Sequence, residues 1–191
     1  MIRDDRSIVI IGLKHCGKSS VARILAKHLR RPHYDTDNLL EELYFAEQGK
    51  RLNFREIYAK LGKQRFDQLQ MSVLKNFFDR QHSGGFWPRL PLLSLGGGAG
   101  DLPEVGHLLD GENCLVVLLE ENPELLFERI SATGLPSFLS DAEGPEEAFL
   151  KFCRLSEQRL VRYRDWAEFR ILCRDRGQEE VALELLQRIE R

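Results

Sequence analysis

Residues 12–19, Gly12-Leu13-Lys14-His15-Cys16-Gly17-Lys18-Ser19, fit G-x-x-x-x-G-K-[S/T] at every position. A chance match in a chain of this length is on the order of 1% from average residue usage. The spacing has a physical reason. Gly12 and Gly17 let the backbone curl until successive N–H groups point inward, which makes a cradle for phosphate oxygens at a helix N-terminus. Gly12, Lys14, Cys16, Gly17, Lys18, Ser19 and Ser20 are therefore predicted to bind a nucleotide. Lys18 should reach the β- and γ-phosphates, and the Ser19 hydroxyl is placed to ligate Mg²⁺. Cys16 has two readings: a small filler, or a thiol made acidic by the helix N-terminus that blocks the nucleotide when oxidised.

The elements around the motif suit it. Ser7 to Ile11 is an apolar β-branched run of the kind buried on both faces of a parallel sheet. From Lys18 to Leu29, apolar residues recur at helical spacing, and Arg30-Arg31-Pro32 ends that helix. His33-Tyr34-Asp35 reads as a short second strand. Asp37 to His82 reads as helical, broken near Gly49 and Gly62, with 83–88 a loop. Leu92 to Leu95 is a buried strand leading into Gly96-Gly97-Gly98-Ala99-Gly100. Cys114 to Leu119 is the most apolar strand, and Asn122-Pro123-Glu124 opens a helix. Residues 131–147 are predicted to be a mobile loop and 148–166 a helix. Phe169 to Cys173 is a last strand and Gln178 to Ile189 a closing helix. Strands alternating with helices define an α/β parallel sheet with helices on both faces.

The chain has 191 residues, 42% hydrophobic and 30% charged, with a net charge of −2. One compact domain over 1–191 is expected. The charge argues against a general nucleic-acid or membrane-surface binder. No apolar run approaches the roughly 20 residues that span a bilayer, and the charged N-terminus lacks signal-peptide anatomy. Cys16, Cys114, Cys153 and Cys173 are scattered and read as free thiols of a reducing compartment, so a cytoplasmic location is expected. The sequence is silent on assembly, and a monomer is the default.

With these residues in place, the sequence resembles the shikimate kinase family, of which it would be a divergent member. The resemblance runs from about Ile8 to the C-terminus. It implies a three-layer P-loop fold with five parallel strands, a helical substrate-binding segment (37–82), a mobile lid (131–147), and ATP with Mg²⁺ acting on a small-molecule substrate. The family's Asp-x-Asp pair is matched by Asp35-Thr36-Asp37. The resemblance makes Asp37, with Lys18, catalytic: Asp37 contacts the substrate hydroxyls and orients the accepting oxygen, while Asp35 sits near Mg²⁺ with Ser19. Read without the family, Asp37 is equally a helix N-cap. Gly96-Gly97-Gly98 matches the family's substrate-contacting turn. Arg159 and Tyr163 match its Arg-x-x-x-Tyr, whose arginine pairs with the substrate carboxylate through two parallel hydrogen bonds. Tyr58 and Phe66 align with pocket aromatics and read equally as core. Arg129 matches an arginine that packs on adenine, and 174–177 the adenine loop.

Two departures stand out. Where the family carries Phe-Arg-x-x-Glu, this chain has Phe66-Asp67-Gln68-Leu69-Gln70, an acid in place of a carboxylate-binding cation. Where the lid carries Arg-Pro-Leu-Leu, this chain has Leu135 for the arginine. Arg55 or Arg65 could replace the first cation, and Lys14 or a lid residue the second. Three readings follow: a divergent shikimate kinase, a related kinase with another small hydroxy acceptor, or a nucleotide-binding module without transfer activity.

Overall fold

The computed structural model describes residues 6–82, 90–133, 139 and 142–190. The loop expected at 83–88 and much of the expected lid, Leu135 included, lie outside the described residues. The first strand, β1 (Ser7–Ile11), has no polar face, and all five of its residues are buried. Each fully buried Val or Ile of this run contributes about 1.5–3 kcal/mol. β1 pairs in parallel with two neighbours, so that Ile8 lies opposite both Leu92 and Leu115.

Those neighbours are β3 (Leu92–Ser94) and β4 (Cys114–Glu120); β2 (His33–Asp35) pairs outside β3, and β5 (Phe169–Leu172) outside β4. The sheet is thus five-stranded and wholly parallel, in the order β2-β3-β1-β4-β5. Parallel neighbours require crossovers, and helices supply them. They are α1 (Lys18–Leu29), α2 (Thr36–Gln48), α3 (Phe54–His82), α4 (Pro103–Gly111), α5 (Pro123–Thr133), α6 (Pro145–Trp166) and α7 (Gln178–Ile189). The expected α/β P-loop architecture is the observed one. Among the described residues, no helix is long and apolar enough to cross a membrane.

Beyond strand ends that shift by one residue, three points differ from the sequence reading. The stretch 131–147 is not all loop: α5 continues through Thr133 and α6 begins at Pro145. Proline is pre-organised for a helix's first turn and loses no needed N–H there. α4, nine residues long, was not anticipated. The helical stretch expected from Asp37 starts at Thr36. Its breaks fall where expected. Gly49 ends α2 at φ 67°, and Gly62 (φ 71°, ψ 170°) kinks α3. Both angles lie where a Cβ is disfavoured.

The topology fixes where a ligand goes. From β1 the chain runs toward β3 and β2; from β3 it crosses β1 to β4. Adjacent strands whose connections leave in opposite directions open a crevice at their carboxyl ends. β1 and β3 are neighbours in the sheet, and the loops that leave their carboxyl ends are residues 12–19 and the glycines at 96–98. The main core surrounds the sheet, while Leu40, Tyr44, Ile57, Phe66, Leu69 and Val73 form a second small core inside α2 and α3. The first part of the helical segment packs on itself, while Leu74, Phe77 and Phe78 at the end of α3 join the main core.

Candidate active site

The loop after β1 has the shape its glycines predict. Gly12, His15 and Gly17 take φ of 147°, 65° and 94°. A Cβ at Gly12 would stand 2.4 Å from the Leu119 carbonyl oxygen and 2.9 Å from Cys16 Sγ. Cys16 is 4% exposed and packs against that glycine, so the filler reading describes it. Lys18 is 8% exposed, and its Nζ donates to the Leu13 carbonyl at 2.8 Å. The ammonium is thereby held inside the loop's own curl. The Ser20 N–H turns back to the Gly17 carbonyl at 3.1 Å as α1 begins. Arg129 of α5 donates to the His15 carbonyl at 3.2 Å and to Asp175 Oδ1 at 2.9 Å. It ties the phosphate loop to the turn at 174–177, where Arg174 and Asp175 are both left-handed.

At the end of β2 the two aspartates divide their work. Asp35, not Asp37, caps α2: its Oδ1 accepts the Asp37 N–H at 3.0 Å. Its Oδ2 accepts the Ser19 hydroxyl at 2.5 Å and the Ser94 hydroxyl at 2.8 Å. The capping alternative for Asp37 therefore falls, because residue 37 already lies in the first turn. Asp37 is partly buried. Burial first, then the neighbouring Asp35 charge, push its carboxyl up to about 6, against the pull of Lys18 and Lys14. Perturbed carboxyls in a cleft mark functional sites.

The Ser19 hydroxyl and an Asp35 oxygen converge from two elements within hydrogen-bond reach. One hydroxyl and one carboxylate, completed by phosphate oxygens and water, are the donor set Mg²⁺ takes in nucleotide sites. The residues fit that ion.

The turn after β3 is pressed against both neighbours. A Cβ at Gly96 would be 2.6 Å from Asp37 Oδ1, and one at Gly97 would be 2.8 Å from the Lys14 backbone nitrogen. At Gly98 it would meet nothing within 4 Å. Gly96 and Gly97 are thus required by the protein's own atoms, whereas Gly98 is not. Thr36 Oγ1 accepts the Gly96 N–H at 2.7 Å. Behind the turn stands α6. The Tyr163 hydroxyl donates to the Gly97 carbonyl at 3.1 Å and accepts the Gly100 N–H at 3.0 Å. Arg159 grips Asp101 through two bonds of 2.8 and 2.7 Å, and Arg162 donates to the Gly100 carbonyl at 2.7 Å. The guanidinium assigned by resemblance to a substrate carboxylate thus faces a carboxylate of this chain.

On the α2–α3 side, Phe66 is 8% exposed within the small core, and Tyr58 meets it edge-on at 5.2 Å between ring centroids. Asp67 pairs with Lys63 one helical turn away at 2.6 Å. Sequence reasoning missed Thr36, Ser94 and Asp101. Only Thr36 carried a local signal, lying between the two aspartates; the others come from chain positions about 60 residues from their partners.

Fold and site define a P-loop phosphotransferase acting on a small molecule. A family model for shikimate kinase matches residues 14–190. The chain belongs to the shikimate kinase family, whose members use ATP to phosphorylate an alcohol group. It is 29% identical to the shikimate kinase of Dehalococcoides mccartyi over 96% of this chain and 93% of that protein. It is 31% identical to that of Mycobacterium marinum, over 95% and 88%. The structure of the Acinetobacter baumannii shikimate kinase in complex with shikimate superposes with a TM-score of 0.77 at 25% identity, covering 96% and 92%.

Proposed function

We propose that this chain transfers the γ-phosphate of MgATP to a hydroxyl of shikimate. The observation that carries the reading is the Asp37 carboxylate, raised toward neutrality, set against Gly96 and within electrostatic reach of Lys18 and Lys14. The loop N–H groups and Lys18 hold the β- and γ-phosphates. Asp37 accepts a hydrogen bond from the acceptor hydroxyl and holds its oxygen in line; as the bond to phosphorus forms, the carboxylate is poised to take the proton. Lys18 offsets charge on the transferring group. Ser19, and Asp35 through water, hold Mg²⁺, which supplies charge neutralisation at the phosphates when bound.

A second reading keeps the chemistry and changes the acceptor to another small hydroxy compound. It is favoured by Asp67, which sits at a cation position of the family and is bound to Lys63. Phosphorus NMR of a reaction with MgATP and shikimate decides between them. A new phosphomonoester resonance that requires Lys18 supports shikimate; its absence with nucleotide bound supports the other acceptor.

A further inference from the structure

Two cations, Lys14 and Arg55, stand beside the phosphate loop, and among the described residues no hydrogen bond or ion pair engages either side-chain head. Lys14 Nζ lies 5.5 Å from the Phe54 ring centroid, and Arg55 Cζ lies 5.8 Å from the same ring. Phe54 opens α3, so the ring brings a phosphate-loop side chain and a substrate-segment side chain to one place. Most other guanidinium and ammonium groups near the site are engaged. Arg159 is paired with Asp101, Arg129 with Asp175, Lys63 with Asp67, and Lys18 is bound to Leu13. Among the described residues, Lys14 and Arg55 have no carboxylate within ion-pair distance.

The surroundings make that unpartnered charge costly. Lys14 is half-buried, and burial followed by the Arg55 charge holds its ammonium below the usual lysine range. Asp37 pulls the other way, while Lys18 and Arg159 add further repulsion. Several positive groups thus converge on the acceptor side of one cleft. Arg159 adds little net attraction, because Asp101 already neutralises it. A carboxylate beside that pair gains hydrogen bonds but not a full countercharge.

We infer that Lys14 and Arg55, braced on Phe54, form the clamp for the acceptor's carboxylate, in place of a cation at Asp67. The inference rests on the shikimate reading above. It explains how an acid at position 67 is tolerated: the carboxylate site has moved from the middle of α3 to its first turn and to the phosphate loop. The backbone of Lys14 remains in the nucleotide cradle while its side chain serves the acceptor.

The test is steady-state kinetics of the full chain with MgATP, using shikimate and its uncharged methyl ester as probes. Lys14→Met and Arg55→Met should each raise KM for shikimate about tenfold or more, since each removes a charge-assisted contact. KM for the ester should stay within about twofold, so that the preference for acid over ester collapses, and Lys14→Arg should restore it in part. Arg55 is exposed, so its variant reads the clamp without endangering the fold. An unchanged preference in both variants overturns the clamp. So does a rise in KM for ATP with KM for shikimate unchanged, which would assign these cations to phosphate. A wild type that turns over neither probe overturns the shikimate reading itself, and the clamp with it.

Discussion

Asp35 Oδ1 accepts the Asp37 N–H at 3.0 Å, so the first aspartate of the pair fixes the helix turn on which the second is carried. Its other oxygen meets Ser19 of the phosphate loop. One side chain thereby sets the position of Asp37 relative to Ser19. Asparagine caps a helix about as well as aspartate but carries no charge. Asp35→Asn should keep the cap to the Asp37 N–H and raise the Mg²⁺ concentration for half-maximal rate about tenfold. Asp35→Ala should lose the cap as well, about 1 kcal/mol in urea unfolding. Equal Mg²⁺ dependence in Asp35→Asn and wild type would remove Asp35 from the metal site.

The Asp37 carboxyl has two pH signatures. Its folded value of about 6 lies above its ordinary value of 3.8. In its proposed role as base or orienting group Asp37 is ionised, so kcat/KM should fall as pH drops through about 6. Stability runs the other way. Between pH 4 and 6 the folded chain holds a proton that the unfolded chain has released, so this group's contribution to stability declines as pH rises through that window. Asp37→Asn should then be more stable than wild type at pH 8, by about 3 kcal/mol at most, with the difference vanishing below pH 4. Urea melts of both proteins across that range check it, and a pH-independent difference would deny the shift.

Gly96→Ala places a methyl where the Asp37 oxygen now sits, 2.6 Å away. Displacing a positioned group by an ångström costs about a hundredfold in rate. We expect kcat/KM to fall by about that factor with the fold retained. Gly98→Ala, with open space around its Cβ, should leave the melting temperature within about 1 °C. A Gly96→Ala protein of wild-type activity would show that the contact does not position Asp37.

Tyr163 is fully buried, and its hydroxyl bridges Gly97 and Gly100. Removing the oxygen leaves a buried N–H and a carbonyl without that partner. Tyr163→Phe should destabilise the chain by about 1–3 kcal/mol in denaturant melts, and should raise KM for the acceptor more than for ATP. Loss of stability with unchanged KM would limit Tyr163 to packing.

The parts legible in the sequence were those set by local chemistry. The phosphate loop and α1 follow from glycine spacing and helical periodicity, and α7 from an amphipathic repeat bounded as expected. The buried runs at Ile8 and Leu115 announced the sheet centre. The start of α6 was legible and misread, since Gly144-Pro145 before two glutamates is a helix-opening signal. α4 escaped because nine residues after a glycine-rich turn carry little periodicity. The exchange of capping roles between Asp35 and Asp37 depends on a single residue of register, which spacing alone does not supply. The Asp101–Arg159 pair joins positions 58 apart in the chain, and only the packing of α6 behind the glycine turn reveals it.

The most direct measurement is ADP release by the purified protein with MgATP, with and without millimolar shikimate, in wild type and Lys18→Ala. Strong stimulation by shikimate in the wild type, abolished in a folded Lys18→Ala, is the predicted result. Clear nucleotide binding without stimulation by shikimate, or full activity in Lys18→Ala, would contradict the account.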